Sequence, residues 1–373
     1  MLRDLDGIVS PWAAASPFGL SAPDPPGPNE TEPLAETGAK WLRLACTPEG
    51  DRVALIEACH EADVQVLGVL TYVAPARPAP TAEECAAFGE FVRATVTRYR
   101  TWTRHWEIAA GLAEPGTRRA NTLPDAHLEW LRAGYAAAKG ADPGCTVVGG
   151  SIPGEGLPYL ERFLTLGGAR CLDALALHLP PARLESPSEA ARYATGLEQT
   201  RALAQLHRRG LPLWVTEAGR PVSSWPGRPA AAAEAQAEHL VRQHVLTLAA
   251  GVERIFWHCF RDDGRSGLVQ EDLTPRPTHA AYRTMTRLLA GTECRGPVSA
   301  PPGVWAASFT RRRQDTLVCW ALGGPVEVEL LGSGISRWTH TGQTARPADG
   351  PLRTVLGSAP LYVVGHNLAL ASC

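Results

Sequence analysis

The residues best placed to do chemistry lie in L-P-L-W-V-T-E-A-G, residues 211–219. Leu213, Trp214 and Val215 make a short apolar strand, Thr216 and Glu217 come where it runs out, and Ala218-Gly219 turn the chain away. A carboxylate at the C-terminal tip of a buried parallel strand can serve as nucleophile, base or ion-pair partner at the mouth of a sheet. Other strand-like stretches carry polar or aromatic groups as well. Arg43 lies in K-W-L-R-L-A-C, Tyr72 in V-L-T-Y-V, Glu107 in R-H-W-E-I-A-A-G, His178 in A-L-A-L-H, and Trp257 and His258 in I-F-W-H-C-F. Glu107 sits inside its strand, where a structural pairing with Arg43 is the expected reading. His105, His178 and His258 lack a ligand spacing such as H-E-x-x-H, so neither a metal nor another cofactor is expected.

These residues need a scaffold, and the pattern around them supplies one. Short apolar strands alternate with helices from residue 6 onward. The strands read as 6–10, 40–46, 64–73, 104–111, 145–150, 172–178, 213–215 and 252–260. The intervening helices include 51–62, one from Thr81 to about Arg100, Asp125–Ala141, Ser188 to about Arg208, Ala230–Ala250 and Thr278–Leu289. Thr81 with Glu84 has the spacing of a capping box. No G-x-G-x-x-G follows the first strand and no Walker loop is present, which disfavours an open doubly wound sheet. The expected fold is α/β: a (β/α)8 TIM barrel over residues 1–290. After Gly291 the runs become short and alternating, as in G-V-W-A-A-S-F-T and D-T-L-V-C-W-A-L, and predict a small antiparallel β-sandwich over 291–373.

Composition narrows the class of partner. The chain has 373 residues, is 45% hydrophobic and 20% charged, and carries a net charge of -2. Such a balance gives no electrostatic case for nucleic acid or an anionic membrane. The N-terminus M-L-R-D-L-D-G lacks the apolar core of a signal peptide, so a cytoplasmic protein is expected. Nine scattered cysteines without a C-x-x-C pair fit a reducing compartment better than a disulfide scaffold.

Several stretches taken in order resemble the clan A retaining glycoside hydrolases, family 39 and its relatives in particular. They are W-E-I-A-A-G-L-A-E-P (106–115), A-L-A-L-H (174–178), V-T-E-A-G (215–219), I-F-W-H-C-F-R-D-D-G (255–264) and P-R-P-T-H-A-A-Y-R (275–283). In that family the fourth strand commonly reads W-E-I-W-N-E-P, the sixth ends in histidine and the seventh reads T-E-x-G. An aromatic F-W segment marks the eighth, and a small β-sandwich follows the barrel. The resemblance spans essentially the whole chain. It implies a carbohydrate substrate, Glu217 as nucleophile, Arg43 as its support, and Tyr72, His178, Trp257 and His258 as substrate-contacting positions.

One departure divides the functional reading. Aligned without gaps, the family's Asn-Glu pair falls on Ala110-Gly111, and neither residue can move a proton. A three-residue insertion would place Glu114 as the acid/base, with Ala113 where the asparagine belongs; Glu155, Asp262 and Asp263 are more remote candidates. The chain is therefore expected to be a retaining glycosidase with a rearranged or missing acid/base, or a carbohydrate-binding descendant that has lost turnover.

Overall fold

The computed structural model describes the chain apart from residues 1–14, 24–25, 73–78, 111–123, 154–155, 226, 263–266 and 373. Eight parallel strands close a barrel in sequence order: β1 (Phe18–Ala22), β2 (Trp41–Ala45), β3 (Gln65–Tyr72), β4 (His105–Ala110), β5 (Thr146–Pro153), β6 (Ala174–His178), β7 (Leu213–Ala218) and β8 (Arg254–His258). The helices among the described residues are α1 (Thr31–Glu36), α2 (Val53–Glu61), α3 (Ala82–Tyr99), α4 (Pro124–Ala141), α5 (Leu157–Thr165), α6 (Pro187–His207), α7 (Pro229–Ala249) and α8 (Pro277–Leu289). The fold is thus a TIM barrel followed by an antiparallel β domain, as the alternation of elements predicts.

The first strand differs from the expected one. The stretch 6–10 lies outside the described residues, and the barrel closes instead through Phe18-Gly19-Leu20-Ser21-Ala22, which pairs with β2 on one side and β8 on the other. Gly19 explains why this segment fits. A Cβ there would sit 2.4 Å from the Phe256 ring, so only glycine lets β8 approach so closely.

Two helix starts are set by local side-chain hydrogen bonds. Glu84 N donates to Thr81 Oγ1 and Thr81 N donates to Glu84 Oε2, completing the expected capping box of α3. Ser186 and Glu189 form a second box at the start of α6.

Alternation along the strands separates two apolar layers. Trp41, Leu67, Val148, Ala174, Ala176, Trp214 and Phe256 fill the lumen. Their neighbours, among them Leu42, Val66, Val147, Leu175, Val215, Ile255 and Trp257, join the helices in the outer core. At the N-terminal end of the barrel the Arg254 guanidinium lies 4.7 Å from the Trp41 ring and 4.3 Å from the Trp214 ring, closing the floor with cation–π contacts. The floor is packed, so chemistry is left to the opposite end.

The C-terminal strands are β9 (Glu293–Pro297), β10 (Val304–Arg311), β11 (Gln314–Ala321), β12 (Val326–Thr339), β13 (Leu352–Leu356) and β14 (Leu361–Ser372), in the order β13-β12-β14-β11-β10-β9. This β-sandwich rests on the last helices of the barrel. Arg242 of α7 donates to Ser358 O at 2.6 Å, His340 meets Glu234 at 2.9 Å, and Arg287 of α8 lies over Trp338. Buried Trp320 and Tyr362 belong to the barrel's outer core, which ties the two parts together.

Candidate active site

Period-two alternation points Arg43 of β2, Glu107 of β4, His178 of β6, Thr216 of β7 and His258 of β8 the same way as the lumen-filling residues. Glu217 follows Thr216 directly and would face outward in a regular strand. The ladder prevents this: Leu177 pairs with Val215 but His178 pairs with Glu217, so β7 carries one extra residue. Such a bulge re-aims a side chain, and both Thr216 and Glu217 reach the mouth. A second shift on β5, between Gly149 and Ile152, holds Ser151 at φ 37° with its hydroxyl turned inward.

These side chains form one network. Arg43 donates from Nε to Glu107 Oε2 at 2.5 Å, from Nη2 to Glu107 Oε1 at 3.2 Å and from Nη1 to Glu217 Oε1 at 2.8 Å. Ser151 and Thr216 donate their hydroxyls to Glu107 Oε1, each at 2.9 Å. His178 Nε2 is 3.0 Å from the same oxygen, while its Nδ1 is 3.7 Å from Glu217 Oε2.

The two carboxylates are set apart by their surroundings. The Glu107 side chain is 0% exposed and Glu217 is 23% exposed. Burial pushes the Glu107 carboxyl up, but the Arg43 charge and the bonds from His178 and Arg43 outweigh it and hold it far below the usual range. Burial also acts upward on Glu217. Its neighbours His178, Arg43 and His258 together overcome that and the repulsion from Glu107, leaving Glu217 below its ordinary value. Burial opposes the charge of Arg43, yet Glu107 and Glu217 raise its pKa further. Both carboxylates are therefore ionised near neutral pH, and only Glu217 is open to an incoming molecule.

The other expected positions fall in different places. Trp257 is 0% exposed and packs 5.9 Å from the His244 ring of α7, so it presents no face to the mouth and does not take the substrate-contacting position that the resemblance implies. The reason is strand phase: Phe256 fills the lumen, which turns Trp257 outward. Tyr72 ends β3, paired in register with Ala110, and its side chain lies outside the described residues. Glu114, Glu155 and Asp263 also lie outside them. Asp262 is engaged by Arg276 and by the backbone amide of Gly267. Ser151 carries little signal in the sequence, only that of a polar residue following Gly149-Gly150 at the end of an apolar run. Among the described residues, no three His, Cys, Asp or Glu side chains gather to hold a metal ion.

The geometry invites comparison with known structures. A family 39 glycoside hydrolase from the gut symbiont Bacteroides cellulosilyticus WH2 superposes with a TM-score of 0.78 at 18% identity, covering 97% of this chain and 82% of that one. The likeness is one of fold. A GH30 endoxylanase from Clostridium papyrosolvens C71 gives a TM-score of 0.66 at 12% identity, covering 97% and 94% of the two chains. A monomeric beta-xylosidase from Caulobacter crescentus CB15 gives 0.62 at 13% identity, covering 99% and 98%. No protein-family model and no curated protein matches the chain. These neighbours share the barrel and the C-terminal β domain over nearly the whole length, in line with the motif order read from the sequence.

Proposed function

We propose that the chain is a retaining glycoside hydrolase acting on O-glycosyl bonds of an oligo- or polysaccharide, with Glu217 as its nucleophile. The observation that carries this reading is an ionised, partly exposed carboxylate at the end of β7, held between Arg43 and His178. Structural neighbours named as glycoside hydrolases, an endoxylanase and a xylosidase support the same class.

Arg43 occupies Glu217 Oε1 and so leaves Oε2 to attack. In the first step Oε2 bonds to the anomeric carbon, the glycosidic C–O bond breaks, and the leaving oxygen takes a proton from an acid. In the second step water replaces Glu217 and returns the proton. Retaining enzymes carry out both steps with two carboxyl groups ~5–5.5 Å apart. Glu107 does not fit the acid role, since it is closed to solvent, saturated by donors and fixed as the anion. Glu114 in the segment after β4 is the carboxyl we assign to it.

A second reading rests on Ala110, which ends β4 where an acid belongs. Without a proton donor the mouth would bind carbohydrate and not turn it over. One experiment separates the two. The protein is incubated with a panel of aryl 2-deoxy-2-fluoroglycosides and digested for mass spectrometry. Hydrolase function predicts a covalent adduct on the peptide containing Glu217, absent from Glu217→Gln. Oligosaccharide binding with neither adduct nor aryl release would establish the binding protein instead.

A further inference from the structure

We infer that Glu107 is the positioning residue of the site: a buried anion that acts on Glu217 through two arms, Arg43 from β2 and His178 from β6. The inference rests on Glu217 being the reactive carboxylate, and it assigns a task to a group that the proposed chemistry leaves unused.

The hydrogen bonds around Glu107 exceed what a simple ion pair needs. Its Oε1 receives Arg43 Nη2, Ser151 Oγ, Thr216 Oγ1 and His178 Nε2, and its Oε2 receives Arg43 Nε. The donors come from four strands, β2, β5, β6 and β7, and Ser151 is held in a left-handed backbone conformation to make its bond. A non-glycine residue in that region costs of order 1–3 kcal/mol and persists where surrounding structure over-determines it.

An ionised carboxylate only accepts. His178 must therefore present Nε2–H to Glu107, which fixes the ring orientation and turns Nδ1 toward Glu217 Oε2, 3.7 Å away. Arg43 is fixed in the same manner. With Nε and Nη2 committed to Glu107, Nη1 has one direction left, and Glu217 Oε1 lies along it at 2.8 Å. The fork of the guanidinium is rigid, so orienting one edge orients the other. Glu107 thus determines where both partners of Glu217 stand without touching anything bound at the mouth.

The test compares the full-length protein with Glu107→Gln, which keeps shape and removes the charge, and with Ser151→Ala, which loosens Glu107 while keeping it. Two-dimensional ¹H–¹⁵N spectra report which His178 nitrogen carries the proton, whether or not any glycoside is hydrolysed. Unmodified protein should show Nε2–H at His178; Glu107→Gln should lose that assignment and Ser151→Ala should show a mixture. On an accepted aryl glycoside, Glu107→Gln should lower kcat about 10²-fold with KM nearly unchanged, the size of effect that a 1 Å misplacement produces. Should Glu107→Gln fail to fold, Ser151→Ala decides through the same two readouts, with a smaller loss of kcat. An unchanged His178 tautomer, or an unchanged kcat in folded variants, overturns the inference. If the unmodified protein hydrolyses nothing, the hydrolase reading fails, while the tautomer comparison still decides the role of Glu107.

Discussion

Arg43 Nη1 lies 2.8 Å from Glu217 Oε1 while the other nitrogens of the same guanidinium hold Glu107. One cation therefore serves two carboxylates, one sealed in the barrel and one at its mouth. Glu107 disfavours the charge on Glu217, and Arg43 is one of the neighbours that offset this repulsion.

Replacing Arg43 should expose that dependence. Arg43→Met keeps much of the aliphatic stem but leaves Glu107 ionised and buried with only neutral donors and His178. Removing one partner of a buried ion pair typically costs about 3–5 kcal/mol. Denaturant unfolding at pH 7 should show a loss of that order. Arg43→Lys should lie between, because an ammonium cannot reproduce the planar fork. An Arg43→Met variant within about 1 kcal/mol of the parent would mean that Glu107 is satisfied without the cation.

Buried imidazoles predict the acid side of the stability curve. Burial pushes His127 and His244 down to about 4 and His105 down to about 3. In the unfolded chain each returns to about 6.5. Below pH 6.5 the unfolded state binds protons that the folded state refuses, so stability falls as pH drops toward 4. His244 is 0% exposed and packs against Phe18, Trp257 and Tyr282. His244→Phe should keep that packing and flatten the fall between pH 6.5 and 4 by up to ~1.4 kcal/mol per pH unit. Parallel unfolding curves for the two proteins at pH 7 and pH 5 would show that His244 takes no part.

Much of this architecture was legible because period and polarity agree. The polar residues Arg43, His178 and Glu217 stand out in apolar runs, and the structure brings all three together. The first strand was not legible, because Phe18-Gly19-Leu20-Ser21-Ala22 has no β-branched residue and is punctuated by glycine. Its selection depends on the Phe256 ring, which comes from the far end of the barrel sequence. Trp257 shows a second limit. Period two places adjacent residues on opposite faces but does not say which face is which, and the phase of β8 is settled only by Phe256 entering the lumen. The hub role of Glu107 was hidden for a third reason: its donors come from four strands and meet only once the barrel has closed.

The C-terminal sandwich should act as part of the fold. Trp320 and Tyr362 are fully buried in the barrel's outer core, and Arg242, a barrel residue 2% exposed, donates across to Ser358. A chain ending at Gly291 would expose that apolar surface and leave the Arg242 guanidinium without its carbonyl. It should aggregate or unfold at markedly lower denaturant than the full chain. A soluble monomer of equal stability would show that the sandwich is an independent appendage.

The proton donor can be located by varying the leaving group. Ala110 ends β4 and cannot give a proton, Glu107 is fixed as the anion, and Glu114 is the nearest following carboxyl in sequence. General acid catalysis is typically worth 10²–10⁴ in rate and matters most for poor leaving groups. If Glu114 supplies the proton, Glu114→Gln should slow alkyl-linked glycans by about that factor. Aryl glycosides with acidic phenols, which leave without help, should be slowed far less. The alkaline limb of the pH–rate profile should also disappear, since it reports loss of the acid's proton. Equal slowing of both substrate classes, or none, would remove Glu114 from the mechanism. Slow turnover of activated aryl glycosides alone by the unmodified protein would show that no acid has replaced the missing glutamate, and that Glu217 works with the leaving group's own acidity.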